Sequence, residues 1–196
     1  MRQAFAPVAR AGVEYCGPGE VADHFLPGDF ILTHGSAWTS RLIRFGQAVR
    51  FVGDDRKYAR WNHAAMIVSA NGNLIEALGG GVEETNLAKY EGTEYHLVRV
   101  MASSEDRDEV VAFAQWCRGQ PYGYITIVSI GLSLLTGAKF TFGFDGQSIC
   151  SGLVARALER TRAIFNRTPS HIMPADLAKF FQVEPPPPDS PKGEVP

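Results

Sequence analysis

Two apolar runs divided by Asn71-Gly72 constrain the fold of this chain more than any other stretch. Trp61-Asn62-His63-Ala64-Ala65-Met66-Ile67-Val68-Ser69 reads as a strand, Ala70-Asn71-Gly72-Asn73 as a turn, and Leu74-Ile75-Glu76-Ala77-Leu78 as a returning strand. Asn-Gly takes up the positive φ angles that tight hairpin turns need, so the pattern predicts a β-hairpin. Asn62 and His63 stand at the start of the first apolar run, and Glu76 interrupts the second. A histidine at the start of such a strand is either a satisfied core residue or a working base, and a carboxylate on the partner strand is suited to orient it. With Asn71-Gly72 as a two-residue turn, Glu76 falls opposite Ile67, on the His63 face but about 13 Å along a regular strand. A bulge, a strong twist or a shifted register is needed to close that gap. Asn62 and Asp29 therefore stay open as alternative orienting residues.

The second informative stretch is Gln147-Ser148-Ile149-Cys150-Ser151-Gly152-Leu153-Val154-Ala155-Arg156-Ala157-Leu158. Ile149, Leu153, Val154, Ala157 and Leu158 recur at helical spacing, with Arg156, Glu159 and Arg160 on the other side. The preceding Phe142-Gly143-Phe144-Asp145-Gly146 reads as a loop, so Cys150 falls in the first helical turn. Unpaired N–H groups and the positive end of the helix dipole stabilise a thiolate there. A thiolate at neutral pH is a nucleophile, whereas a buried cysteine away from such a site is inert. The backbone N–H of Cys150 is then the natural donor to an oxyanion.

Taken together these pieces resemble the circularly permuted branch of the NlpC-type papain-like cysteine hydrolases, which includes YiiX-like proteins and relatives of lecithin:retinol acyltransferase. The matching motifs are Pro27-Gly28-Asp29-Phe30-Ile31-Leu32, Asn62-His63-Ala64-Ala65-Met66-Ile67-Val68, Leu74-Ile75-Glu76-Ala77, Gly119-Gln120-Pro121-Tyr122-Gly123 and Ile149-Cys150-Ser151-Gly152-Leu153-Val154. They run from about residue 27 to residue 160, with His63 before Cys150 as in the permuted branch. The resemblance implies a papain-like α+β fold, a small antiparallel sheet or barrel packed against helices. It also implies Cys150 as nucleophile, His63 as base and Glu76 as the residue that orients the histidine, with Tyr122 near the site as a donor to substrate or oxyanion. Asn62 and Asp29 are the further candidates for contact with substrate. Two positions depart from the family pattern. Gly123 stands where relatives of the bacterial type carry an acidic residue, and Gly152 stands where they tend to carry glutamate.

The substrate that the resemblance implies is the peptide part of bacterial peptidoglycan, cleaved by a cysteine amidase or endopeptidase. Toxins injected into neighbouring cells occur among such hydrolases, which extends the expectation to a secreted antibacterial toxin. A thiol-dependent lipid acyltransferase or lipase using the same residues is the alternative, kept open by the apolar run Ile125-Thr126-Ile127-Val128-Ser129-Ile130-Gly131-Leu132-Ser133-Leu134-Leu135. A catalytically silent binding module is the third reading. No inhibitor partner is legible.

Composition narrows the field further. A chain of 196 residues with 45% hydrophobic and 20% charged residues fits one folded domain with a sizeable core and excludes a disordered chain. A net charge of −2 offers no electrostatic footprint for nucleic acid. The local basic cluster Arg41, Arg44, Arg50, Arg56, Lys57 and Arg60 reads as a solvated face. Three cysteines, Cys16, Cys117 and Cys150, show no zinc spacing, so no metal and no cofactor are expected. The apolar run at 125–135 is too short to span a bilayer, and Met1 to Glu20 lacks a signal-peptide core. A cytoplasmic protein is expected, or one exported without a cleaved signal.

The expected organisation is an N-terminal arm at 1–26, a hydrolase domain at 27–183 and a Pro-rich, disordered tail at 184–196. Within the domain, Asp29 to Thr33 reads as a strand, Thr39 to Val52 as a helix and Tyr95 to Met101 as a strand. Ser103 or Ser104 caps a helix that buries Val110, Val111, Phe113, Ala114 and Trp116, and Pro174 opens a last helix. Gly79-Gly80-Gly81 reads as a flexible loop beside the cleft. Strands and helices do not alternate regularly, which predicts the α+β class.

Overall fold

The computed structural model describes residues 10–34, 47, 50–121, 150–161, 163 and 169–186. Six strands form one antiparallel sheet: β1 (Arg10–Cys16), β2 (Phe30–Thr33), β3 (His63–Ile67), β4 (Asn73–Leu78), β5 (Gly81–Asn86) and β6 (Tyr95–Val100). Their order across the sheet is β1-β6-β2-β3-β4-β5. Three α-helices are described, α1 (Ser104–Trp116), α2 (Cys150–Leu158) and α3 (Pro174–Phe180). An α+β architecture follows. Among the described residues no helix is long and apolar enough to cross a membrane.

Strand alternation divides the core in two. Phe30, Leu32, Ala64, Met66, Ile75, Ala77, Val98 and Val100 face the helices, where Val110, Ala114, Leu153, Val154 and Leu158 meet them. Ile31, Ala65, Ile67, Leu74, Tyr95 and Leu97 face the other way and are covered by Cys16, Ala22, Leu87 and Tyr90. Burial on both faces explains why β2 and β3 read as almost unbroken apolar runs. Helix α2 lies against β3 and α1. Full burial of Leu153, Val154 and Leu158 contributes roughly 2 kcal/mol each to holding it there.

Helix starts agree with local chemistry. Ser103 caps α1, its hydroxyl accepting from Asp106 N–H at 3.1 Å, and Pro174 occupies the first turn of α3. Trp116, expected on the buried side of α1, is 72% exposed; only Val110 and Ala114 of that helix are fully buried. The apolar stripe is thus narrower than the spacing implied.

Two regions expected to be irregular are strands. The expected arm at 1–26 contains β1, an edge strand that pairs Val13 with Val98 and Tyr15 with His96. Its Val13-Glu14-Tyr15-Cys16 alternation carries the strand signal. The glycine run is not a flexible loop: Gly79-Gly80 is a two-residue turn, and Gly81 pairs with Leu78 to start β5. Gly81 has φ +132°, and a Cβ there would lie 2.8 Å from the Gln120 carbonyl oxygen. Only glycine lets the segment after α1 dock on β5, where Val82 N–H donates to Gln120 O at 2.8 Å.

Of the expected helix at Thr39–Val52, Gln47 and Arg50 are helical, but Phe51 and Val52 are not, Val52 being extended before the 3-10 turn Gly53–Arg60. The rest of it, the apolar run at 125–135 and most of the proline tail lie outside the described residues, as do Arg41 and Arg44 of the basic cluster. In the rest of that cluster, Arg50 pairs with Asp176, Lys57 with Glu184 and Arg60 with Glu94.

Candidate active site

The hairpin decides whether His63 and Glu76 meet. Its loop is longer than a two-residue Asn-Gly turn: Val68 N–H donates to Asn73 O at 2.8 Å, leaving Ser69 to Gly72 as a four-residue loop. Ser69 Oγ accepts from Asn73 N–H at 3.0 Å, and Gly72 takes φ +78°. The ladder then pairs Met66 with Ile75 and Ile67 with Leu74. Glu76 falls opposite Ala65, only two residues from His63, a diagonal offset of about 7 Å that long side chains span. The expected 13 Å gap is closed by register, without a bulge.

His63 Nε2 lies 2.6 Å from Glu76 Oε2. Cys150 completes the chain from the first residue of α2, and its sulfur accepts hydrogen bonds from His63 and from the backbone N–H groups of Ala64 and Ser151. The Ala64 donor has a topological origin. Ile67 N–H bonds to Asp29 O, just before β2, so the alternate residues Ala64 and Met66 direct their N–H groups toward β4. Among the described residues, β3–β4 pairing stops at Met66, which leaves the Ala64 N–H for the Cys150 sulfur. With Nε2 engaged by Glu76, Nδ1 is the His63 nitrogen left to face the thiol.

Glu76 is fully buried, yet four donors surround it. Besides His63, Tyr90 Oη donates to Oε2 at 2.5 Å, Thr85 Oγ1 to Oε1 at 2.5 Å and Lys89 Nζ to Oε1 at 2.9 Å. Burial pushes the carboxyl upward, but His63, followed by Thr85 and Tyr90, outweighs it and holds Glu76 at about 2. Thr85 comes from β5, and Lys89 and Tyr90 from the 3-10 turn Leu87–Tyr90. None of the three was legible as a site residue. Thr85 shares the Val82-Glu83-Glu84-Thr85-Asn86 strand missed with the glycine run, and Lys89-Tyr90 carries no motif.

Electrostatics separates the three cysteines, all free and buried. Burial raises the Cys16 and Cys117 thiols above their ordinary value. The same burial acts on Cys150, but the His63 imidazolium and the two backbone N–H groups outweigh it and lower that thiol. Reciprocally, burial disfavours the charged ring of His63, while Cys150 and then Glu76 overcome it and raise His63 to about 9. Both shifts act in the direction of a thiolate–imidazolium pair. Such a pair can attack an electrophilic carbon and return a proton to a leaving group.

The other sequence candidates separate as follows. Asp29 lies at the far end of β2 from Thr33, the residue paired with His63. Its carboxylate accepts from Leu26 N–H at 2.9 Å, Val100 N–H at 3.0 Å and Arg107 Nη1 at 2.9 Å. It clamps the loop before β2 and does not orient the histidine. Replacing it by alanine is expected to destabilise the fold by about 3 kcal/mol, because Arg107 loses its buried partner. Urea denaturation measures that loss, and an unchanged pH profile of Cys150 alkylation checks that the site is untouched. Asn62 is buried beside His63, its N–H donating to Thr33 O at 3.2 Å. Gly152 is buried within α2, so a carboxylate at that position would be buried as well. Tyr122 lies outside the described residues. Among the described residues no group of three or more His, Cys, Asp or Glu side chains is placed to hold a metal ion.

No protein-family model matches the chain, and no curated protein is significantly similar to it.

Proposed function

We propose that this protein is a cysteine hydrolase of amidase or peptidase type, with Cys150 as nucleophile, His63 as proton carrier and Glu76 as the group that orients the imidazole. The observation that carries the reading is the buried Cys150–His63–Glu76 chain. Its thiol is lowered while the two other buried thiols are raised. In the proposed reaction the thiolate attacks an amide carbon, and the carbonyl oxygen gains the negative charge beside the N–H groups of the α2 terminus. The tetrahedral intermediate collapses as the His63 imidazolium protonates the departing amine, leaving a thioester. Water, deprotonated by the now neutral His63, attacks the thioester and restores the thiolate and the acid product.

The papain-like permuted assignment is part of this proposal. What supports it is the order His63 before Cys150, the antiparallel sheet that carries the histidine and carboxylate, and the cysteine at the start of a helix packed on that sheet. The substrate we propose by the same resemblance is a peptide amide of peptidoglycan.

The first test is the rate of Cys150 alkylation by iodoacetamide between pH 5.5 and 9, followed by mass spectrometry of the modified peptide. Cys150 is only 1% exposed, so access scales the absolute rate, whereas the ratio across pH reports ionisation. A rate nearly level below pH 8 supports the reading. A tenfold fall per pH unit, as for an ordinary thiol, would overturn it. Release of new amino groups from muropeptides then tests the substrate.

A further inference from the structure

The Leu87–Tyr90 turn meets the site at Glu76 and at the His63 ring, and the proposed chemistry leaves its two polar side chains unused. Tyr90 is 8% exposed and donates to the same Glu76 oxygen that receives His63 Nε2. Lys89 donates to the other oxygen with a half-exposed side chain. The turn is held firmly: Asn86 Oδ1 accepts from Ala88 N–H at 3.0 Å, and Leu87 N–H donates to Gly72 O at 2.8 Å. That second bond ties it to the loop that fixes the β3–β4 register. The Tyr90 ring also stacks beside His63, with centroids 6.4 Å apart.

We propose that Tyr90 and Lys89 are positioning residues for the Cys150–His63 pair: Tyr90 locks the Glu76 carboxylate in the rotation that receives His63 Nε2, and Lys89 sets the pH range over which the thiolate–imidazolium pair persists. The inference rests on the hydrolase reading of the site. Burial and the adjacent Glu76 raise the Tyr90 phenol, so it remains a donor throughout the working range. A neutral donor orients the carboxylate without cancelling its charge. A cation close to the carboxylate weakens its hold on the imidazolium and, across the pair, favours the thiolate. Among the described residues, the charged or titratable groups against Glu76 are His63 on β3, Lys89 and Tyr90 on the turn, and Glu83, its exposed cross-strand partner on β5, with Cys150 on α2 beyond His63. Thr85 adds an uncharged donor.

The signs follow from charge. Removing the Lys89 cation makes both the thiolate harder to form and the imidazolium harder to deprotonate, so both limbs of the pH–alkylation curve move upward. Removing the Tyr90 hydroxyl leaves Glu76 with one donor fewer, so Glu76 takes up a proton at higher pH and the imidazole loses its fixed orientation.

The test compares wild type, Lys89→Met, Lys89→Arg and Tyr90→Phe by iodoacetamide alkylation against pH, with urea denaturation alongside. Lys89→Met is expected to raise both limbs by about half a pH unit, kept small by the exposure of the lysine, with Lys89→Arg restoring them. Tyr90→Phe is expected to lower the plateau rate about tenfold at pH 7 and to raise the acid limb. Limbs and plateau that coincide with wild type in both variants, with only the urea midpoint lowered, would reduce the turn to a structural support and overturn the proposal. A wild-type curve without the low-pH plateau is a different failure, that of the hydrolase reading.

Discussion

Replacing His63 by alanine is expected to slow Cys150 alkylation at pH 6.5 by about 100-fold, because a thiol of ordinary pKa near 8.5 is only about 1% ionised there. Of the three donors that lower the wild-type Cys150 thiol, His63 is the charged one. Without it, burial is opposed by the N–H groups of Ala64 and Ser151 alone. The variant is expected to fold, since His63 is at the start of β3 and keeps its backbone pairing with Thr33. The wild-type profile has a second limb. His63 is raised to about 9, so the imidazolium partner is present below that pH and lost as the pH climbs through it. Alkylation that is unchanged between wild type and His63→Ala at pH 6.5 would remove the histidine from the chemistry.

Replacing Glu76 by glutamine is expected to cost about 3 kcal/mol of stability at pH 7 and to flatten the acid side of the stability curve. Glu76 is held at about 2 in the folded protein against an ordinary value of 4.5. A depressed carboxyl contributes stability that is complete above about pH 4.5 and lost as the pH falls through about 2. A difference of about 2.5 units corresponds to about 3 kcal/mol, shared with His63 because the two groups titrate together. Glutamine keeps the volume but presents an NH2 group where one carboxylate oxygen stood. Two of the four donors, either His63 and Tyr90 or Thr85 and Lys89, then face another donor inside the core. Urea denaturation at pH 7, 5 and 3 reads both effects. A variant as stable as wild type at pH 7, with the same acid dependence, is incompatible with an ionised Glu76.

How much of this was readable in the chain depends on the range of the interactions involved. The Ser103 cap, the Pro174 start and the Cys150 helix are written in residues a few positions apart, and all three stand where the spacing predicts them. The strand identity of β2, β3 and β4 was also local, carried by apolar runs and Asn71-Gly72. β1 and β5 were missed although Val13-Glu14-Tyr15-Cys16 and Val82-Glu83-Glu84-Thr85 alternate, because flanking glycines made both regions resemble loops. Trp116 fails for the opposite reason: helical spacing places a residue on a face but does not say how wide the covering layer is.

By itself, the sequence determined where the candidate residues stand: a cysteine at a helix start, a histidine opening an apolar strand and a carboxylate on its hairpin partner. Those are consequences of periodicity, capping and turn preference, which act over one or two turns of chain. Only the tertiary structure decided that these residues meet. The four-residue Ser69–Gly72 loop moves Glu76 from four residues away to two. The end of β3–β4 pairing leaves the Ala64 N–H for the Cys150 sulfur, and Thr85, Lys89 and Tyr90 converge on one buried carboxylate. Hydrogen-bond register and the desolvation of a charge are settled across distant segments, where no local pattern records the partner.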